Sequence, residues 1–294
     1  MARKISCINE NNLQLDFTDK FSPWLLEDCE GIYEVTNKVY TSENTMTDGS
    51  TYQGSTTSMR NIILTLRDRP EADHAKNRRE LYNLFKAKSP GKFIYYEGDG
   101  STAKVIDYYV ESVIIDSAPR SRRATVSLVC PNPFFVDPQD IVVTMSGWVP
   151  QFEWQHEFPA AGEEFGYKVA EQIKTIENES GAEHIGITIT VEASGTASGF
   201  MMTHVEQGLH LAIGTDEDPF TINAGDKIEI TTHTNNKHAY LISGGVRTDI
   251  NEYLTEDSEF LQIMSGDNTF GYDADVGAEY LSVSITFKYR YPGV

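Results

Sequence analysis

One stretch of this chain, DRPEADHAKNRRELYNLFKAK from Asp68 to Lys88, has both helical periodicity and helical end signals. Everything around it reads as strands. A sole amphipathic helix among strands has to lie across a sheet to bury its apolar stripe. Asp68 with Glu71 three residues on resembles a capping box, and Pro70 sits in the first turn, where a missing N–H costs little. The spacing predicts a helix over 70–88, with Ala75, the stem of Arg78, Leu81, Tyr82, Leu84 and Phe85 as its buried stripe. Lys86 and Lys88 suit the C-terminal dipole, and Pro90-Gly91 ends the helix. Three strands follow. KFIYYEGDGS is a strand and tight turn, TAKVIDYYVESVIID is a long strand, and ATVSLVC comes after the basic turn PRSRR. The last one closes on Pro131-Asn132-Pro133-Phe134-Phe135.

Before the helix, LQLDF and GIYEVTNKVY alternate apolar and polar residues as half-buried strands do, with SPWLLEDCEG between them as a surface excursion. The next segment, about 41–60, is rich in Gly, Ser and Thr and is predicted to be a long hairpin with Asp48-Gly49 as its turn. It buries little of itself and is expected to become ordered against something else. RNIILTLRD then reads as a buried strand. After Pro138 the texture changes to short alternating strands such as HIGITITVEAS, GLHLAIGT, DKIEITTHT and YLSVSITFKYRY, the pattern of a β-sandwich. One short helical turn fits within GVRTDINEYLTEDSEFLQI. The predicted domains are therefore 1–137 and 138–294.

Charge divides at the same place. Residues 1–137 hold 17 Lys and Arg against 19 Asp and Glu, a net of -2, whereas 138–294 hold 7 against 25, a net of -18. An acidic surface repels phosphate, which argues against nucleic acid as a ligand of the second domain. It reads instead as a solubilising surface or as a field set against a basic partner. Cys7, Cys29 and Cys130 have no metal-ligand or disulfide-framework spacing and are expected to be free thiols. No apolar run is long enough to cross a bilayer, and the N-terminus lacks a signal-peptide core, so a soluble protein outside the secretory route is expected.

The search for chemistry finds no HExxH, GxSxG or GxGxxG motif. Gly98-Asp99-Gly100 lies between strands with no helix to aim amides at an anion, so it reads as a hairpin turn. On one strand, His204 and His210 would share a face but sit too far apart along it to grip one metal. Arg120, Arg122 and Arg123 form a basic turn that is solvated or meets an acidic partner. Trp148, Trp154 and His156 are candidates for stacking on a sugar ring, or for a sandwich core. No catalytic residue, metal site or cofactor is assigned, and the chain is not expected to be an enzyme.

Taken in order, DGSTYQG with RNIILTLR, RRELYNLFKAKSPGK, YYEGDG, YYVESVIID and VSLVCPNPFF resemble the distal tail protein (Dit) family of siphoviruses, the long-tailed bacteriophages. ENESGAEHIGITITVEASG, INAGDKIEITT, SEFLQIMSGDNTFGYDA and ITFKYRYPGV extend the resemblance to the end of the chain. It implies a mainly β chain of two β-sandwiches. The first bears a single α-helix and a projecting β-hairpin, and the second is galectin-like. It further implies a homohexameric ring, with the hairpin as a belt onto the neighbouring subunit and Asp48, Gly49, Tyr52 and Arg60 at that interface. Such a ring joins the tail tube protein to the tail-tip hub protein. The second domain offers a docking point for receptor-binding proteins. The place of action is the virion tail tip, after assembly in the host cytoplasm, with no membrane insertion. The galectin His-x-Asn-Pro-Arg pattern is missing, so sugar binding is not carried over. The alternative is a carbohydrate-binding module that recognises the bacterial surface.

Overall fold

A computed structural model describes residues 4–18, 21–43, 48–69, 73–97, 102–116, 122–150, 166–170, 172–214 and 219–294, with backbone alone for 97, 102, 146–150 and 166–170. The chain divides into two compact units, Met1–Pro138 with Arg290–Val294, and Gln139–Tyr289. The last residues, which the sequence reading groups with the second domain, belong to the first unit.

The first unit contains β1 (Lys4–Asn9), β2 (Gln14–Asp16), β3 (Trp24–Glu30), β4 (Asn37–Glu43), β5 (Ser50–Thr57), β6 (Arg60–Asp68), α1 (His74–Leu84), β7 (Pro90–Glu97), β8 (Thr102–Ile115), β9 (Arg123–Cys130) and β10 (Phe135–Val136). Its main sheet is antiparallel, in the order β2-β1-β7-β8-β9-β6-β3. Long β8 pairs with β7 along one edge and, on the other, with β10 at Val105 and then β9 from Tyr109 onward. A bulge at Glu111 lies within that second pairing and bends the strand. Among the described residues, β4 and β5 pair only with each other.

Strand β6 shows how the pleat builds this core. Its inward positions, two residues apart, are Arg60, Ile62, Leu64, Leu66 and Asp68, and all five are buried. The strand thus carries three apolar residues between a buried cation and a buried anion. Against them pack Leu81, Leu84 and Phe85 of the helix, together with Trp24 and Phe17. Phe85 stacks on Phe17 at 6.1 Å and tilts against Tyr108 at 6.0 Å. Burying each such side chain contributes about 1.5–3 kcal/mol.

The helix is shorter than predicted. It runs from His74 to Leu84, and Asp73, not Asp68, is its N-cap, accepting from the backbone N–H groups of Ala75 and Lys76. Asp68 ends β6, where its carboxylate accepts from Asn77 Nδ2 at 2.6 Å and meets His74 Nδ1 at 2.5 Å. Helix residues Ala75, Arg78 and Tyr82 are exposed, and Asn77 takes the inward place expected of an apolar residue. Lys86 and Lys88 lie beyond the last helical residue. Asn9 of β1 satisfies that end of the helix instead, donating to the Asn83 carbonyl at 3.0 Å and the Leu84 carbonyl at 3.4 Å. The supposed surface excursion SPWLLEDCEG is in fact mostly β3, paired with β6 and anchored by Trp24, whose indole N–H donates to the Asn77 carbonyl at 3.1 Å. Of GIYEVTNKVY, only the last four residues are strand.

The second unit contains β11 (Ile141–Thr144), β12 (Ser146–Pro150), β13 (Gly166–Ala170), β14 (Ile173–Asn178), β15 (His184–Gly186), β16 (Thr188–Ala193), β17 (Ala197–His204), β18 (Leu209–Ile213), β19 (Thr221–Ile222), β20 (Lys227–His233), β21 (Asn236–Ser243), β22 (Val246–Asp249), β23 (Gln262–Met264), β24 (Gly266–Val276) and β25 (Leu281–Phe287). A final short strand, β26 (Arg290–Tyr291), returns to the first unit. A six-stranded sheet, β11-β25-β16-β20-β21-β22, and a five-stranded one, β14-β24-β17-β18 with β19 on β17, share one apolar core. Ile189, Ile230 and Ile285 come from the first sheet, and Phe200, Leu211 and Phe270 from the second. The chain is thus mainly β, a two-unit β-sandwich architecture. The short helical turn is Asn251–Tyr253.

The two aspartates at the helix entry are predicted to differ in cost. Asp73→Ala removes a cap and is expected to lower unfolding free energy by about 1 kcal/mol. Asp68→Ala strands the buried Asn77 amide and is expected to cost more, about 1–3 kcal/mol for that donor alone. Urea unfolding of the two variants checks the order.

Candidate functional site

The exposed surface that stands out in the first unit is the β4–β5 hairpin. Pairing runs from Asn37–Thr57 to Tyr40–Gly54 and resumes from Thr41–Tyr52 to Glu43–Ser50, so Gln53 is the extra residue of a β-bulge. With period-two alternation, the bulge returns Tyr52 to the face that holds Val39 and Ser55; an unbroken register would place it on the face of Tyr40. The contacts agree. Tyr52 Oη donates to Ser55 Oγ at 2.9 Å on one face, and Gln53 Nε2 donates to Ser42 Oγ at 2.9 Å on the other. There Lys38 Nζ also lies 5.1 Å from the centre of the Tyr40 ring. Gly54 makes the bulge possible with φ +147°, a conformation side chains rarely adopt.

Both faces carry apolar groups in water. Tyr52 is 63% exposed, Val39 57% and Tyr40 44%. Asp48 and Gly49 lie at the turn end, exposed, with φ +92° at Gly49. A hairpin packed on nothing is marginal in water, so this one gains from any surface that covers it.

Its root is held quite differently. Thr36 O accepts from Ser58 N at 2.8 Å, extending the ladder one step. Gly31 approaches Asn61 so closely that a Cβ there would lie 2.0 Å from the Asn61 carbonyl oxygen. Arg60, grouped with the hairpin in the sequence reading, is buried beneath it. Its Nε donates to the Pro133 carbonyl at 2.8 Å, its Nη1 to those of Gly31 at 2.6 Å and Ile32 at 2.8 Å, and its Nη2 to that of Pro292. The guanidinium also sits 5.1 Å from the centre of the Phe135 ring. Burial lowers the proton affinity of this group, yet a guanidinium stays charged. A cleft of about 200 Å³ opens here between Val35, Thr57, Met59 and Pro133.

A second fastening lies nearby. Phe135–Tyr291 and Val136–Arg290 pair as antiparallel strands, and Tyr291 Oη donates to Asp137 Oδ2 at 3.1 Å. Lys104 Nζ meets Asp137 Oδ1 at 2.7 Å and lies 3.5 Å from the Tyr291 ring centre. Burial pulls the Lys104 ammonium down, but its bonds to Asp137 and Tyr291 outweigh that and leave its pKa raised.

The other candidates resolve into structural parts. Arg122 donates to the Arg69 carbonyl at 2.9 Å and Arg123 pairs with Glu27 at 2.7 Å; Arg120 and Gly98-Asp99-Gly100 lie outside the described residues. His204 and His210 do not share one strand: His204 ends β17, buried and bonded to Asn268 Oδ1 at 3.0 Å, while His210 lies on the neighbouring β18 and meets Asp257 at 3.1 Å, because the chain turns back between them. Trp148 lies on β12, and Trp154 and His156 fall outside the described residues. The second unit has an open cleft of about 520 Å³ with Asp273 and Asp275 beside Met201, Gly199 and Gly214. Among the described residues, no group of His, Cys, Asp or Glu is arranged to hold a metal, and no helix is long and apolar enough to cross a membrane. Cys7, Cys29 and Cys130 form no disulfide; burial pushes the Cys7 thiol up, and that of Cys130 up to about 12.

Residues 18–130, which contain the hairpin and most of its sheet, match the phage tail protein RIFT-related domain family. No curated protein matches the chain. Among solved structures, the crystal structure of SPP1 Dit (gp 19.1), described as a paradigm of hub adsorption apparatus in Gram-positive infecting phages, aligns with a TM-score of 0.65 at 13% identity. The alignment covers 98% of this chain and 99% of that one. Phage P2 baseplate structures in the activated conformation align at TM-score 0.51, with 10% identity for the Ca form and 9% for the Sr form, over 100% of both chains in each case. Residues 18–130 are thus similar to phage tail protein RIFT-related domains. The chain as a whole has the fold of a siphophage distal tail protein.

At Gly54 an added Cβ would meet nothing within 4 Å, so Gly54→Ala tests the backbone alone. It is expected to cost about 1–3 kcal/mol within the hairpin. Amide exchange across 50–57 should quicken while the thermal midpoint of the whole protein holds.

Proposed function

We propose that this chain is a structural hub subunit of a phage tail tip. Copies join through the β4–β5 hairpin into a six-membered ring, in which each hairpin lies as a belt on the neighbouring subunit. The ring connects the tail tube protein to the tail-tip hub protein. The second unit, read as galectin-like, is the docking point for receptor-binding proteins, and its place is the virion tail tip after assembly in the host cytoplasm. The chain does positioning and no catalysis.

One observation carries this reading: a two-stranded sheet, paired only with itself, that holds Val39, Tyr40 and Tyr52 in water on both faces. A closed ring repeats one contact pair around an axis, so a single such element per subunit is enough to build it. Charge supports the same arrangement. The part that packs against copies of itself is near neutral, at -2, while the part kept outside carries -18 and repels its neighbours.

Sedimentation and negative-stain microscopy test it. The full chain is expected to form six-membered rings. Trimming Thr41 to Ser58 should leave monomers with both units folded, and Val39→Asp combined with Tyr52→Asp should do the same. Rings that survive the trimming would remove the hairpin from the interface.

A further inference from the structure

Among the described residues, the hairpin strands pair with each other alone, and the hairpin joins the rest of its unit through two connections, residues 31–36 before it and 58–59 after it. Both connections end at Arg60. The carbonyls of Gly31 and Ile32 bind the Arg60 guanidinium directly, and Arg60 itself is the first residue of the strand that follows. Two further carbonyls complete the cage: Pro133, where the chain leaves toward the second unit, and Pro292, just after it returns. Among the described residues, the hydrogen-bond acceptors of this cation are backbone oxygens. A buried cation whose hydrogen bonds all go to carbonyl dipoles depends on each of them, because a donor left without an acceptor keeps its full desolvation cost.

From this geometry we propose that Arg60 and the returning segment Arg290–Val294 form a latch on the hairpin root. With the segment in place, four of the five guanidinium N–H groups are engaged and Gly31 is pressed against Asn61, so the hairpin leaves its root in one direction. Withdrawal of the segment removes the Pro292 carbonyl. The planar fork then turns toward the remaining oxygens or toward water, and the Gly31–Ile32 bonds loosen with it. The segment has its own fastenings in Asp137, Lys104 and Asn132, the last accepting from Arg290 Nη2 at 3.3 Å. These make the latch closed by default. The strand that leaves the second unit, β25, is continuous with this segment, so a pull on it bears on the order of an exposed surface in the first unit. The C-terminal residues are thus a working part of the hairpin-bearing unit.

The test uses the full chain with two changes, Arg60→Lys and a stop after Tyr289, read by amide hydrogen exchange. Lysine keeps the charge but offers a point donor in place of the planar fork, so it cannot reach all four carbonyls. Both variants are expected to speed exchange about tenfold or more at residues 31–36 and 57–61, with β7, β8 and the second unit unchanged. Unchanged exchange at the root overturns the latch, and so does uniform acceleration through the first unit. If the truncated chain does not fold, the Arg60→Lys result decides alone. Sedimentation of the same proteins separates this proposal from the belt reading on which its consequence rests. A loosened root with intact rings supports the latch and removes the hairpin from the ring contact.

Discussion

The first unit depends on a strand whose alternation obliges it to bury charge. In β6 the residues that face inward are fixed by the pleat, so Ile62, Leu64 and Leu66 cannot enter the core without Arg60 and Asp68 entering beside them. An isolated charge in such a place would be prohibitively costly. Each end has therefore collected partners. Asp68 holds Asn77 and His74 and so sets where the helix lies, while Arg60 holds four carbonyls and so sets where three chain segments cross. Helix placement, hairpin root, exit and return of the chain all follow from satisfying the two ends of one strand.

The hairpin is the opposite case, an element with nothing to satisfy it. Its bulge costs a strained glycine and aims Tyr52 beside Val39, yet neither residue is covered. The helix, by comparison, has its apolar side fully occupied and both ends satisfied, by Asp73 at one and Asn9 at the other. The unit thus contrasts a closed frame with an open arm.

Much of this was legible from residue pattern. RNIILTLRD, TAKVIDYYVESVIID, ATVSLVC and the alternating runs of the second unit appear as strands because each buries one face, and period-two burial is written locally. Asp48-Gly49 marks a turn for the same local reason. The errors fall where a local signal had a distant competitor. Asp68 with Glu71 has the form of a capping box, but β6 needs Asp68 for its own inward position, and Asp73 sits one turn nearer the real start. SPWLLEDCEG carries the punctuation of a loop, yet Trp24 finds both a core and a carbonyl acceptor, and burial of that ring outweighs the loop signals around it. Arg60 looked like part of the hairpin because it adjoins it in sequence, and no composition or spacing signals that a cation will be buried.

By itself, then, the sequence determined most of the long strands, one amphipathic helix, the neutral and acidic halves, and a polar hairpin that cannot bury itself. Those properties depend on neighbours a few residues apart. Only the tertiary structure decided that Arg60 points inward, that the chain returns to its first unit, and that Pro292 closes a cage with residue 60. The two ends of that last bond are 232 residues apart. Pleat and periodicity carry no information across that distance; it is set by which surfaces are left to cover once the local elements have formed.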